Sequence, residues 1–545
     1  MMSETENNAL SPETAAPEPS EATPDFVNPF AKIPADWQKH DSVFAVLTLA
    51  CSVLLVHLSL FGGFRAGFPL SYLLLLCLTV SYMAKVPHQR NALALFAAVA
   101  SLAASGVFAL YNDGLTNVLL FGGTGILYGV FLSYSFSKST GRNPILRALN
   151  SVLVSAFQYI AEPFYAYNAY RKAGDKRGPN RQVLLGLALS VPVLIVVLPL
   201  LISSDAAFEG LISTVFSRIG TLILKIILGT ALAIFLFSLL FAAKNDFAEK
   251  APKFESAASS SFSPVTIATL LCVLSVIYTV YLLSQLAYFF SAFSGILPAG
   301  YSFTLADYAR RGFFEICAVC GINTLIILII SHFTARDAKD RIPLPARLFA
   351  TLICLFSMVF TATALSKMFL YIRSFDLTRL RLLTSIFMIM LLVLNLMLLI
   401  YLQNRKFPLI KVCLVFFTVV ALAVGYCDID RTIAAYNVTR YQNGYARNFD
   451  VSYLGTLSDS AVPYLITLTD DKNPKVREEA YHQLYYRAHR LEILDEGDQK
   501  TKEKGFSLSH YNYTRHRAET LIRKNLKTIL AHAPCSEEDP AMIYY

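Results

Sequence analysis

The sequence is poor in charged residues, which make up 16% of its 545 positions against 55% hydrophobic residues. Its mean hydropathy is +0.49. Water-soluble domains carry about 25% charged residues, because their surfaces must be hydrated. The deficit excludes a soluble globular protein and predicts an integral membrane protein, in which lipid replaces water around much of the surface.

Cysteine is also scarce, with nine residues, and seven of them lie inside apolar segments. Cys317 and Cys320 form a CxxC pair in one such segment, but no second pair follows at the spacing of a zinc site. Cys427 and Cys535 lie outside the apolar segments, where a disulfide between them stays open. The sequence therefore predicts no disulfide scaffold, no metal site and no cofactor, and it contains no recognisable catalytic motif.

Long apolar runs dominate what is present. A helix rises 1.5 Å per residue, so about 20 apolar residues cross roughly 30 Å of hydrocarbon. Eleven runs qualify and predict an all-α integral membrane protein with about 11 transmembrane helices. The runs are 42–61, 67–84, 91–111, 115–134, 182–202, 217–241, 265–290, 313–333, 346–371, 379–402 and 407–426.

Lysine and arginine are distributed unequally between the two sides of this bundle. The connections on the N-terminal side carry 22 of them and the opposite connections seven. Because basic loops resist translocation, the N-terminus is predicted to be cytoplasmic and, after an odd number of spans, the C-terminus extracytoplasmic. The basic surplus also suits anionic lipid, so membrane lipids are expected partners and nucleic acid is not.

Composition then divides the chain into five parts. Residues 1–38 lack a secretory signal and predict a disordered cytoplasmic tail, followed by transmembrane helices 1–4 at 39–134. Residues 135–181 predict a basic cytoplasmic connection, in which 143–172 has the pattern of an interfacial amphipathic helix. Helices 5–11 occupy 182–426, and 427–545 predict an extracytoplasmic helical domain. If 143–172 crossed the membrane instead, every later connection would change sides.

Polar side chains collect at the outward ends of the predicted helices. Each alone is explained by snorkelling, helix capping or local pairing. Arginines in outward loops, however, oppose the insertion bias of the rest of the chain, and guanidinium groups bind phosphate or carboxylate bidentately. The candidate ligand-binding residues are Asp205, Lys225, Tyr308, Arg310, Arg311, Glu315, Tyr371, Arg379, Arg381, Asp430, Arg431, Tyr436 and Asn437.

Five segments carry a family resemblance. Residues 306–315 (ADYARRGFFE) resemble the YARxGFFE signature of a bacterial membrane protein family, domain of unknown function 4173, which is related to the 4153 group. The other four are 201–208 (LISSDAAF), 371–382 (YIRSFDLTRLRL), 430–440 (DRTIAAYNVTR) and 450–465 (DVSYLGTLSDSAVPYL). Asp376 stands where the family has Gly, and 506–517 lacks the usual Trp residues. The resemblance implies a polytopic protein of the bacterial cytoplasmic (inner) membrane and brings no activity.

The C-terminal segment contains one recognisable helical hairpin. Residues 465–484 predict a helix, a turn at Lys472-Asn473-Pro474 and a second helix, an arrangement that resembles one HEAT repeat. A single hairpin cannot bury its apolar face, so it should pack on a helix predicted at 515–532, on the membrane surface or on a partner.

Three functions remain open. The favoured one is an outward-facing binding protein, for transport or envelope sensing, that recognises an anionic headgroup or solute. An enzyme acting on a lipid-linked substrate, with Asp205 or Glu315 as base, is disfavoured because the first outward loop, 61–65, lacks the acid of polytopic glycosyltransferases. A scaffold would dock an envelope protein partner through 459–532, whereas a transporter would use midplane residues such as Asn323 and Asn395.

Overall fold

The computed structural model describes residues 36–111, 114–136, 160–173, 206–245, 263–294, 313–334, 342–445, 449–494 and 511–532. Within these ranges the chain forms helices and no strand, as the sequence predicts. The helices are α1 (Lys39–Ser59), α2 (Gly67–Met83), α3 (Ala92–Leu110), α4 (Gly114–Phe136), α5 (Glu162–Ala173), α6 (Ala206–Asn245), α7 (Pro264–Ser294), α8 (Phe313–Phe333), α9 (Leu344–Phe375), α10 (Arg379–Gln403), α11 (Leu409–Tyr426), α12 (Ile429–Gln442), α13 (Val451–Thr456), α14 (Val462–Leu468), α15 (Pro474–Arg490) and α16 (Tyr513–Ala531).

Eight of these helices are long and apolar enough to cross a membrane, namely α1, α3, α4, α6, α7, α9, α10 and α11. Helix α2 and the segment Glu315–Ser331 of α8 are apolar but shorter. The predicted run at 182–202 lies outside the described residues. The membrane class of the fold is therefore supported, and the number of eleven spans stays a prediction.

The first group of helices, α1 to α4 with α6, shares one apolar core. Helix α6 is 40 residues long and begins eleven residues before the apolar run predicted at 217–241. The polar residues Glu209, Ser213 and Arg218 interrupt the apolar pattern there without breaking the helix. A helix can continue beyond the hydrocarbon, so the apolar run underestimates its length.

The second group, α7 to α10, packs around α9, and α11 connects the two groups by packing on α3, α4 and α10. Two glycines allow this close approach. A Cβ on Gly106 would lie 2.9 Å from the hydroxyl of Tyr426, and one on Gly425 would lie 2.9 Å from Leu120. Small residues let membrane helices approach closely, which is how α11 seats against α3 and α4.

The helix ends define two faces of the bundle. We call the one where α1 begins and α6 ends the N-terminal face, and the other the C-terminal face. On the N-terminal face the fully buried Asp41 accepts hydrogen bonds from Lys244 Nζ (2.7 Å) and Tyr82 Oη (2.8 Å). Gln38 N donates a third bond to this carboxylate (2.8 Å), so the satisfied Asp41 joins the ends of α1, α2 and α6.

Helix α5 is the described part of the segment predicted to be interfacial. The Tyr167 ring packs edge-on against Trp37 with a centroid separation of 5.3 Å, and Trp37 in turn contacts Phe237 and Phe241 of α6. With 12 residues α5 is too short to cross a membrane, and it lies at the N-terminal face. Residues 143–159 are outside the described ranges, so the interfacial assignment of the whole segment stays a prediction.

The C-terminal helices, α12 to α16, share a core on the C-terminal face. The predicted hairpin is present as α14 and α15, with Asn473 capping α15 and Pro474 in its first turn. Helix α16 packs on both, which is one of the three packing arrangements that the sequence leaves open for the hairpin. Leu377, from the α9–α10 connection, belongs to the same core, and Leu383 and Val424 pack against it. These helices are thus continuous with the bundle, and their extracytoplasmic location stays a prediction.

Candidate anion-binding pocket

Three of the segments that carry the family resemblance meet on the C-terminal face. Asn437 of α12 accepts a hydrogen bond from Leu377 N (2.8 Å) and donates one to Leu377 O (2.9 Å). Asn437 is buried, so no water replaces these bonds. The side-chain amide of Asn437 therefore holds the α9–α10 connection against α12. Asp376, the residue before Leu377, has a φ of 65°. That conformation normally favours Gly, the residue the family resemblance leads one to expect there.

Arg379 and Asp430 form a second link at the same junction. Arg379 Nε donates to Asp430 Oδ1 (3.0 Å), and Arg379 Nη2 donates to Asp430 Oδ2. Asp430 also accepts from Ser458 N (2.7 Å), and Tyr453 Oη accepts from Arg379 N (2.8 Å). A bidentate guanidinium pair whose carboxylate also accepts a backbone N–H is a rigid connection. It ties α10, α12 and α13 together.

Arg381 and Arg440 close the end of α9. Arg381 donates to the carbonyl oxygens of Phe375 and Asp376, both at 2.6 Å, and its Cζ lies 4.0 Å from the ring centroid of Tyr371. Arg440 donates to the carbonyl of Arg373 at 2.8 Å. Cations at a helix C-terminus satisfy carbonyl groups that have no helical partner. These arginines therefore act on the helix end.

The predicted ligand-binding residues are not brought together into one cluster within the described ranges. Lys225 lies over the ring of Phe61 at 4.8 Å, Glu315 is exposed in the first turn of α8, and Arg440 donates to Tyr436 Oη at 3.2 Å. Arg431 faces a separate small cavity of about 60 Å³ beside Asp428 and Tyr464. The remaining four, Asp205, Tyr308, Arg310 and Arg311, lie outside the described residues. The predicted set as a whole stays a prediction.

A different set of arginines surrounds a cavity of about 350 Å³ on the C-terminal face. Arg379 contributes from α10, Arg487 and Arg490 from the end of α15, and Arg515 from the first turn of α16. The lining also includes Gly114, which is the first residue of α4, and Ser458. We call this cavity the arginine pocket.

The most buried member of the arginine pocket is Arg487. Its guanidinium donates to Asp459 Oδ1 (2.9 Å), Gly455 O (2.8 Å) and Leu457 O (2.6 Å). Burial lowers the pKa of Arg487, and the neighbouring charge of Arg490 lowers it further. Its role is to anchor the wall of the pocket, since all of these partners belong to the chain.

Arg490 differs from the other three arginines. Arg379 pairs with Asp430, Arg487 with Asp459, and Arg515 with Glu519 at 2.8 Å. Arg490 is exposed, and no ion pair with another part of the described chain involves it. It is the cation that the described wall offers to a ligand.

Arg65 adds positive charge near this wall. Burial lowers its pKa, and Arg515 lowers it further, whereas Glu519 and Asp459 act in the opposite direction. The region thus combines five arginines, Arg65, Arg379, Arg487, Arg490 and Arg515, with three carboxylates, Asp430, Asp459 and Glu519. Mutual repulsion between guanidinium groups is relieved when an anion binds between them.

Sequence reasoning identified Arg379 but missed Arg487, Arg490 and Arg515. One signal was available, because Arg487 continues the apolar stripe of Val476, Ala480 and Leu484 at helical spacing. A charged residue on such a stripe must be buried with a partner. No comparable signal marks Arg490 or Arg515, whose charges fall on polar helix faces.

A buried polar cluster lies among α7 to α10. Tyr278 Oη donates to Asn323 Oδ1 (2.6 Å), and Asn323 Nδ2 donates to Ser357 Oγ (3.0 Å). Asn395 Nδ2 lies 3.3 Å from Thr324 Oγ1, so both midplane asparagines belong to this cluster. Such bonds join membrane helices at about 0.6–2 kcal/mol each. The contacts account for both asparagines as links between helices.

Comparison with known proteins assigns a family. The family model named Domain of unknown function (DUF4153) matches residues 92–468, which is more than half of the chain, and the chain belongs to that family. No curated protein and no solved structure matches it significantly. The matched region contains the α9–α10, α12 and α13 junction and Arg379, whereas Arg487, Arg490 and Arg515 lie beyond its end.

Proposed function

We propose that this member of the DUF4153 family, whose motifs also resemble the related 4173 family, is an outward-facing binding protein of the bacterial cytoplasmic membrane. Its arginine pocket binds an anionic headgroup or solute, and this binding serves either transport or envelope sensing. The observation that carries the proposal is the exposed Arg490, beside the buried Arg487, in a wall that holds four arginines and one carboxylate.

The fixed dipoles of the pocket support an anionic ligand. Helix α4 begins at Gly114 in the pocket wall, so the positive end of its dipole lies there. Arg379 and Arg487 are held by short bonds to Asp430 and Asp459, which keeps the wall in place before a ligand arrives. A preorganised site loses less conformational entropy on binding.

The distribution of charge supports the outward orientation. The predicted cytoplasmic connections carry most of the lysine and arginine of the membrane region, and helix ends that flank them, such as the end of α6 and the start of α9, lie at the N-terminal face. The arginine pocket lies on the C-terminal face, at the other end of the same helices. Under the positive-inside rule, this face is the extracytoplasmic one.

Binding is favoured over catalysis by the carboxylates of the pocket. Asp459 is the carboxylate that lines the described wall, and it is bonded to Arg487. A general base needs a carboxylate able to accept the proton of a substrate. Asp459 is instead engaged with a buried cation, which disfavours that role.

The test is equilibrium binding of inorganic pyrophosphate to the purified full chain in detergent, measured by calorimetry. Charge-assisted hydrogen bonds contribute about 1.5–3 kcal/mol, so Arg490→Gln should weaken binding by roughly tenfold to a hundredfold. Arg477→Gln is the matched control, because Arg477 is an exposed arginine of the same helix outside the pocket. Equal affinity in Arg490→Gln, Arg477→Gln and the unmodified chain would refute the proposal.

A further inference from the structure

An apolar groove of about 320 Å³ runs through the membrane region beside α4. It is bounded by α3, α4, α10 and α11, and its α4 wall includes the stripe Thr116, Leu120, Gly123 and Leu127. These residues follow one another at intervals of three or four, so they share one helix face. From Thr116 to Leu127 the groove extends about 16 Å along the helix axis.

Two helices, α4 and α10, line both the groove and the arginine pocket. Arg379 lines the pocket and Leu383 lines the groove, and these residues are one turn apart on the same face of α10. On α4, Gly114 lines the pocket and Thr116 lines the groove; they are about 3 Å apart along the axis and on opposite sides of the helix. Both cavities are therefore lined by the ends of α4 and α10 that lie on the C-terminal face.

We infer that the ligand of the arginine pocket is a phosphate-bearing membrane lipid, with its headgroup among the arginines and one hydrocarbon chain in the groove along α4. The inference rests on the proposed function, because it names the class of the ligand held by Arg490. A single molecule must offer an anion and an apolar chain about 16 Å long to fill both cavities, and anionic lipids have this form.

The composition of the groove excludes a wholly polar ligand there. Apart from two threonines, its walls consist of glycine, alanine, leucine, isoleucine, valine and phenylalanine. Burying an ionic or hydroxylated solute in such walls would leave its polar groups without hydrogen bonds. A hydrocarbon chain has no such requirement, and it can enter from surrounding lipid.

Two neighbouring glycines provide the test. A Cβ on Gly123 or on Gly122 meets no atom within 4 Å, so a side chain can start at either position without a clash at its first carbon. Gly123 lines the groove and Gly122 does not. Gly123→Leu therefore places a side chain where the hydrocarbon chain would lie, and Gly122→Leu is the matched control.

The experiment compares two probes on the purified full chain in detergent. Dioleoyl phosphatidylglycerol carries the chain, whereas glycerol 1-phosphate carries a phosphate headgroup alone. Occupancy by the lipid is measured by native mass spectrometry, and binding of glycerol 1-phosphate by calorimetry. We expect Gly123→Leu to weaken lipid binding at least tenfold and to leave glycerol 1-phosphate unaffected, with no change in Gly122→Leu.

The outcomes separate this inference from the proposed function. If Arg490→Gln weakens both probes but Gly123→Leu leaves lipid binding unchanged, the groove does not hold the chain, and the inference is overturned while anion binding stands. If Arg490→Gln weakens neither probe, the proposed function fails, and the inference fails with it. Loss of lipid binding in both glycine variants would also overturn the inference, since the effect would not depend on the groove.

Discussion

The amide of Asn437 makes the most testable structural contribution. Asn437→Ala removes both hydrogen bonds with Leu377, the one that its N–H donates and the one that its carbonyl oxygen accepts. The substitution adds no charge and no bulk, and α12 tolerates alanine well. The change in the free energy of unfolding should therefore reflect the loss of these bonds at the connection between α9 and α10.

The magnitude follows from what is left unpaired. A buried polar group that loses its partner costs about 1–3 kcal/mol, and Asn437→Ala leaves two such backbone groups at Leu377. Asn437 and Leu377 are both buried, which limits rescue by water. We expect the free energy of unfolding to fall by about 2–6 kcal/mol.

A thiol-reactive fluorogenic dye can measure this, because Cys320 and Cys354 are fully buried and become reactive when the bundle opens. The control is Asn443→Ala, at an exposed position just after α12. Surface substitutions of this kind change stability by within about 0.5 kcal/mol. An Asn437→Ala variant that unfolds at the same temperature and denaturant concentration as Asn443→Ala would refute the assignment of Asn437 as the residue that holds this connection.

Two further predictions concern charges on the C-terminal face. Arg487→Met leaves Asp459 buried without its cation and should lower the free energy of unfolding by about 3–5 kcal/mol in the same dye assay. Arg477→Met is the control and should have no such effect. Similar stability in the two variants would contradict the role given to Arg487. Burial raises the pKa of Asp428 in the folded chain, so folding favours the protonated carboxyl. The stability that this carboxyl contributes is fully present below its unfolded pKa of about 4, and it is lost as the pH rises through the folded pKa. Asparagine can cap α12 and adopt the φ of 46° found at this position, so Asp428→Asn preserves the start of the helix. The variant should be as stable as the unmodified chain near pH 4 and more stable at pH 7. The same difference in stability between variant and unmodified chain at both pH values would contradict this.

The helices and their boundaries were largely accessible from sequence, because apolar period and length report directly on lipid burial. The end of α11 at Tyr426, the start of α8 at Phe313 and the turn before Pro474 all fall where the pattern predicts them. The beginning of α6 does not, since its first turns carry polar residues that a hydropathy pattern excludes.

The site was accessible only in part, because its geometry depends on contacts between distant segments. Arg379 and Asp430 are 51 positions apart, and both were predicted as ligand-binding residues although they bind each other. Composition identifies side chains able to hold an anion, but it does not reveal whether a carboxylate of the same chain already occupies them. Arg490 is the opposite case, a residue that composition does not single out. It becomes a candidate ligand-binding residue only because residues of α10 and α16 line the same cavity.

One labelling experiment tests both whether the arginine pocket faces outward and whether it binds an anion. Thr456 is exposed and lines the arginine pocket, whereas Thr467 is exposed on α14 outside it. Thr456→Cys and Thr467→Cys are each introduced into a Cys427→Ser, Cys535→Ser chain, and intact cells are treated with a membrane-impermeant thiol reagent with and without glycerol 1-phosphate. The account predicts labelling of both positions before lysis and slower labelling of Thr456→Cys alone when the phosphate is present. Labelling only after lysis, or equal rates at Thr456→Cys with and without the phosphate, would contradict it.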